Sequence, residues 1–233
     1  MNKTERNGWL NPISWKMLIG FFAFNAILIS VFVVEGLNRP HVHTMAFRFE
    51  ERQAGTFISA LQLGLTSYTC LVIWLLNKTR PFLKSINFWL LSFCGFLYLT
   101  LDEWFMLHEG VDGALADLFR LFSERSGKLM FDGAVLVLFG LIALAVCWFS
   151  RKEILKHKQM LFFFVLGGLF FIGTIATDIL KPDEVNIRAT QFSIMLEESC
   201  KLFGVSYFFA GFLSVLFPLL SHCSRALTPK VSS

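Results

Sequence analysis

Charged residues in this chain are confined to short intervals between six uncharged, largely apolar runs, at residues 17–34, 54–77, 85–101, 133–150, 159–177 and 202–221. Each run is about 17 residues or longer, the length a helix needs to cross a hydrocarbon layer about 30 Å thick. The third and fifth runs need one flanking turn to complete the crossing. The pattern predicts an all-α polytopic membrane protein with six transmembrane helices, at about 15–36, 55–77, 86–107, 130–150, 159–179 and 198–220. The first run follows Lys3, Arg6 and Lys16, as the core of a secretory signal does, but it is too long for one and no A-x-A-like cleavage site follows. It is therefore read as the first membrane helix.

Orientation follows from Lys and Arg in the short connections. Lys3, Arg6 and Lys16 precede the first span. Lys78, Arg80 and Lys84 lie between the second and third, Arg151, Lys152, Lys156 and Lys158 between the fourth and fifth, and Arg225 and Lys230 after the sixth. The other three connections mix both signs or are net acidic. Six spans with both termini cytoplasmic satisfy the positive-inside rule throughout, and a plasma (inner) membrane location is expected. In the outer loop at about 114–125, Leu115, Leu118, Phe119 and Phe122 share one helical face opposite Asp117, Arg120 and Glu124. This predicts a short amphipathic helix in the outer headgroup layer or folded over the outer ends of the spans.

Composition narrows the class. Of 233 residues, 55% are hydrophobic and 16% charged, too little charge to cover a soluble domain, and this excludes soluble, disordered and collagen-like chains. The formal net charge of +4 is accounted for by topology, so nucleic acid is not an expected partner; membrane lipids are, with a homo-oligomer or a membrane complex as further partners. Cys70, Cys94, Cys147, Cys200 and Cys223 fall singly, with no CxxC spacing, and form no disulfide framework. No internal repeat or linker divides the chain, so residues 1–233 read as one integral membrane domain. Phenylalanine is abundant, at 28 residues. In the fifth span it alternates with Gly167, Gly168 and Gly173, a composition that suits close helix packing with rings filling the gaps.

With orientation assigned, the acids gather at the outer ends of the helices. Glu35 ends the first span, Asp102, Glu103, His108 and Glu109 the third, and Asp178 the fifth; Asp132 precedes the fourth, and Glu197, Glu198 and Lys201 precede the sixth. Taken singly, each reads as an ordinary headgroup-level residue. Taken together they form a candidate polar cluster: Asp102, Glu103, His108, Glu109, Asp178, Glu197, Glu198 and Lys201. At 100° per residue, Asp102, Glu109 and Asp112 share one arc of the third helix, with His108 at its edge and Glu103 pointing elsewhere. Gly110 and Gly113 are the expected stops of that helix. Lys201 follows Glu197 by four residues and Glu198 by three, the spacings for local ion pairs, so it neutralises one acid and leaves the other needing a proton, a cation or a partner.

The first outer loop adds His41 and His43, which point the same way in an extended backbone. With His108 and Glu109 they form a candidate site for a divalent or transition metal ion such as zinc, iron or manganese. No H-E-x-x-H, G-x-S-x-G, Walker or dinucleotide motif is present, and the histidine positions disfavour a bis-histidine haem. Three readings follow: proton or cation binding for transport, channel or sensing activity; a metal-dependent intramembrane enzyme acting on a lipid or lipid-soluble substrate; and a non-catalytic subunit of a membrane complex. The first is preferred, because carboxylates outnumber histidines and Lys201 supplies a switchable partner.

Overall fold

A computed structural model describes residues 12–38, 46, 48, 49, 53–78, 86–107, 134–179 and 187–227. Among these the chain is helical and has no strand. The helices are α1 (Pro12–Leu37), α2 (Ala54–Lys78), α3 (Ile86–Phe105), α4 (Ala134–Phe149), the single turn α5 (Arg151–Ile154), α6 (Lys158–Ile179) and α7 (Ile187–Leu227). Among the described residues four segments are long and apolar enough to cross a membrane: Trp15–Leu37, Ala54–Lys78, Lys158–Thr177 and Ala189–Ser221. α3 has 20 residues with Asp102 and Glu103 in its last turn, and α4 has only 16. The histidines His41, His43 and His108, together with Glu109 and the 114–125 segment, lie outside the described residues.

α7 is the hub, packed against α1, α2 and α6, while α3 docks on α2. Its 41 residues span roughly 60 Å at 1.5 Å per residue, about twice the thickness of a hydrocarbon layer. It begins at Ile187, well before the expected start near residue 198, and runs without a break through Glu197, Glu198 and Lys201. The charges do not stop the helix because Glu198 and Lys201 pair along it, and tertiary packing supplies the rest.

Small residues set the helix spacings. α6 and α7 run antiparallel, with Gly167 against Gly204: a Cβ on Gly167 would lie 3.0 Å from the Gly204 carbonyl oxygen, and one on Gly204 would lie 3.2 Å from that of Gly167. Rings fill the flanks. Phe170 stacks on Phe203 at 5.2 Å, and Phe164 meets Phe208 and Phe212 edge-on at 5.4 and 5.1 Å. α2 and α3 are also antiparallel, in register through Ser67 donating to the Phe93 carbonyl (3.0 Å) and Gly64 facing Thr100. A large apolar cluster around Cys70, Ile73, Trp89, Met160 and Phe212 closes the end of the bundle where α2 finishes and α3 begins.

Two contacts tie connections to this frame. Arg48 forms a two-point ion pair with Glu35 at the end of α1, and its carbonyl accepts the Gly55 N–H at 2.9 Å. A Cβ on Gly55 would sit 2.7 Å from that carbonyl oxygen, so Gly55→Ala must push backbone from backbone. The expected cost is about 1–3 kcal/mol, in the range of overpacked sites, read as a lower Tm in detergent. At the opposite end of the bundle, buried Glu153 accepts from Lys156 at 2.5 Å and lies 3.7 Å from His157, whose ring meets the edge of Trp89. Burial pushes His157 below its ordinary 6.5, with the Lys156 ammonium adding to the effect, while the Glu153 carboxylate opposes both. The folded chain thus prefers neutral His157, and the unfolded chain takes up a proton first. Stability is full above about 6.5 and falls as pH drops from there toward the lower folded value. The Tm of His157→Gln is expected to be flatter than wild type across that window; parallel slopes would remove this linkage.

α3 ends at Phe105, close to the expected end near 107. Met106 adopts a left-handed backbone, φ 56°, and its N–H caps the Asp102 carbonyl at 2.6 Å. The helix therefore stops before Gly110. Of the arc expected on the third helix, Asp102 lies on α3, while Glu109 and Asp112 lie outside the described residues.

Candidate functional site

Four helices bring polar side chains into the packed interior. On α7, Lys201 lies one turn beyond Glu198 and donates to Glu198 Oε1 at 2.7 Å. Across the bundle, the last turn of α3 presents Glu103, and Lys201 Nζ reaches both of its carboxylate oxygens at 3.2 Å. α2 supplies Ser59, whose hydroxyl lies 2.5 Å from Glu103 Oε1. The side chains of Glu103, Glu198 and Lys201 are 13%, 12% and 22% exposed. Two carboxylates thus share one ammonium, leaving one excess negative charge in a sheltered site.

A second polar layer lies about a turn deeper. Asn25 of α1 is fully buried; its Nδ2 donates to Ser206 Oγ at 2.8 Å and toward the Leu202 carbonyl at 3.5 Å. Its Oδ1 accepts from Gln62 Nε2 of α2 at 3.3 Å. Two acceptors in these layers have no donor, Gln62 Oε1 and Glu198 Oε2. Buried polar atoms are seldom left so, because each forfeits its hydration without replacement.

Depth follows from α1. Asn25 stands ten residues from Trp15 and twelve from Leu37, about 15 and 18 Å along the axis, which is the middle of that apolar span. Lys201 is adjacent in sequence to Leu202, which touches this layer, and Ser59 is one turn from Gln62. The charge cluster lies outward of this layer, toward the end of the bundle: Ser59 stands near the start of the α2 span at Ala54, and Glu103 in the last turn of α3.

Of the sequence-derived candidates, the structure brings together Glu103, Glu198 and Lys201. Glu103, read as pointing away from the ligand face, is the α3 residue that engages Lys201, because docking on α2 sets the rotation of α3. Asp102 is buried beside it, 6% exposed. Glu197 is half-buried on the same α7 turn, and Asp178 lies in the last turn of α6, with its side chain outside the described set. Among the described residues no three His, Cys, Asp or Glu are grouped to hold a metal ion. Ser59, Gln62, Asn25 and Ser206 were not foreseen, although two amides inside uncharged runs were the available signal.

The fold and this cluster define an all-α protein with helices long and apolar enough to cross a membrane, carrying a charged triad in their packed interior. The chain belongs to the family described as a domain of unknown function, DUF8692, whose model matches residues 15–216. No curated protein and no solved structure matches it.

Proposed function

We propose that this protein is a six-span integral membrane protein of the plasma (inner) membrane, with both termini cytoplasmic, that binds protons or cations for transport, channel or sensing activity. One observation carries the reading: Glu103 and Glu198 share the single ammonium of Lys201 in the packed interior. An uncompensated buried charge is expensive, so the site favours a proton or cation that balances it. The Asn25–Gln62–Ser206 layer extends the polar region inward. Membrane lipids cover the exposed apolar side chains of α1 and α4, such as Ile27, Val31, Leu141 and Leu144.

The test is reconstitution in lipid vesicles, following ion flux and tryptophan fluorescence as pH and cations are varied. Glu198→Gln and Asp102→Asn are expected to abolish the response while the protein still elutes as a folded species. An unchanged response in both variants rejects the reading.

A further inference from the structure

We infer that the ion held by this site is a proton, and that it resides on Glu198 Oε2 rather than on Glu103. The inference rests on the ion-handling reading above and deepens it by naming the ion and the atom.

Donors and acceptors can be counted one by one. An ammonium has three N–H donors, and Lys201 directs its contacts to three oxygens: Glu198 Oε1, Glu103 Oε1 and Glu103 Oε2. Glu103 Oε1 also accepts from Ser59. Both oxygens of Glu103 are thereby served, as is one oxygen of Glu198. The remaining oxygen, Glu198 Oε2, is buried without a donor, on a residue that is 9% exposed. A proton needs one lone pair and finds it there. A metal cation needs several oxygen ligands at once, and here the ammonium already occupies three of the four carboxylate oxygens and would repel a second cation.

Among the described residues, the charges that face Glu198 are few. The groups that act on Glu198 are Lys201 and Glu197 on α7 and Glu103, with Asp102 beside it, on α3. The stretches 17–34 of α1, 54–77 of α2 and 159–177 of α6 carry no charged residue. Binding transfers one proton from bulk water to Glu198 Oε2 and brings the triad from one negative charge to neutral. Nothing else is consumed or released.

The test is infrared spectroscopy of the full chain in lipid nanodiscs, following the carbonyl band of a neutral carboxylic acid through a pH titration. One such band is expected to disappear as pH rises. Glu198→Asp should shift its frequency, Glu198→Gln should remove it, and Ser59→Ala should leave its frequency in place. A band that moves in Ser59→Ala and not in Glu198→Asp puts the proton on Glu103 and overturns the assignment. Displacement of the band at constant pH by sodium, calcium or zinc salts overturns proton selectivity while leaving the ion-handling reading intact. Absence of any titrating band in folded wild type also overturns the inference, and the vesicle response then decides the broader reading by itself.

Discussion

Lys201→Met is expected to lower stability by roughly 3–5 kcal/mol, the cost of leaving buried charge without its partner. The substitution keeps the length and apolar stem of the side chain and removes only the ammonium. Glu103 and Glu198 then face each other across the α3–α7 contact with no counter-charge, and Glu103 retains only Ser59. The expected readout is a large drop in Tm in detergent and loss of monodisperse elution. Lys201→Arg is not a safe substitute, because a planar guanidinium does not present the same donors to two carboxylates on different helices. The decisive comparison is a triple variant, Lys201→Met with Glu103→Gln and Glu198→Gln, which is expected to regain most of the lost stability since no charge remains to be compensated. If Lys201→Met alone matches wild type, the triad does not hold α3 to α7.

The positions of the helices were largely legible because charge is so scarce in this chain: the uncharged runs coincide closely with α1, α2 and α6. Two departures from the hydropathy pattern have a common cause. A hydropathy pattern treats Glu197, Glu198 and Lys201 as the edge of a span, yet α7 begins at Ile187, because Lys201 pairs with Glu198 along the helix and with Glu103 of α3 across the bundle. The third helix ends close to the expected 107, but at a left-handed Met106 rather than at a glycine. Both are tertiary effects, invisible to periodicity.

The site was half legible for a similar reason. Placing the acids by depth brought the end of α3 and the middle of α7 to one level. Which α3 acid faces Lys201 depends on rotation about the helix axis, and that is set by contacts at Ser67–Phe93, Gly64–Thr100 and Ser59–Glu103. Those contacts chose Glu103 over Asp102. The hydroxyl and amide partners escaped notice because single polar residues in apolar runs satisfy themselves on their own helix as often as across it, as Thr66 and Thr69 do by bonding to Gln62 and Leu65 carbonyls.

The position of α7, and with it the charge cluster, depends on α6 through glycine rather than through charge, and two adjacent glycines allow this to be measured. Gly167 lies against the Gly204 backbone and the Phe208 ring, whereas a Cβ on Gly168 meets nothing within 4 Å. Gly167→Leu is expected to cost about 1–3 kcal/mol, or more where backbone cannot yield, and Gly168→Leu to leave the Tm close to wild type or slightly above it, since the new side chain gains helix propensity without a clash. Gly204 is one turn from Lys201 on α7, so wedging α6 away also displaces Lys201 from Glu103 across the bundle. Gly167→Leu should therefore weaken the vesicle response although it adds and removes no charge, while Gly168→Leu preserves it. Equal Tm losses in the two variants would mean that the Gly167–Gly204 approach does not set the spacing. A destabilised Gly167→Leu with an intact response would mean that the triad tolerates movement of α7, and that its geometry is held from the α2–α3 side alone.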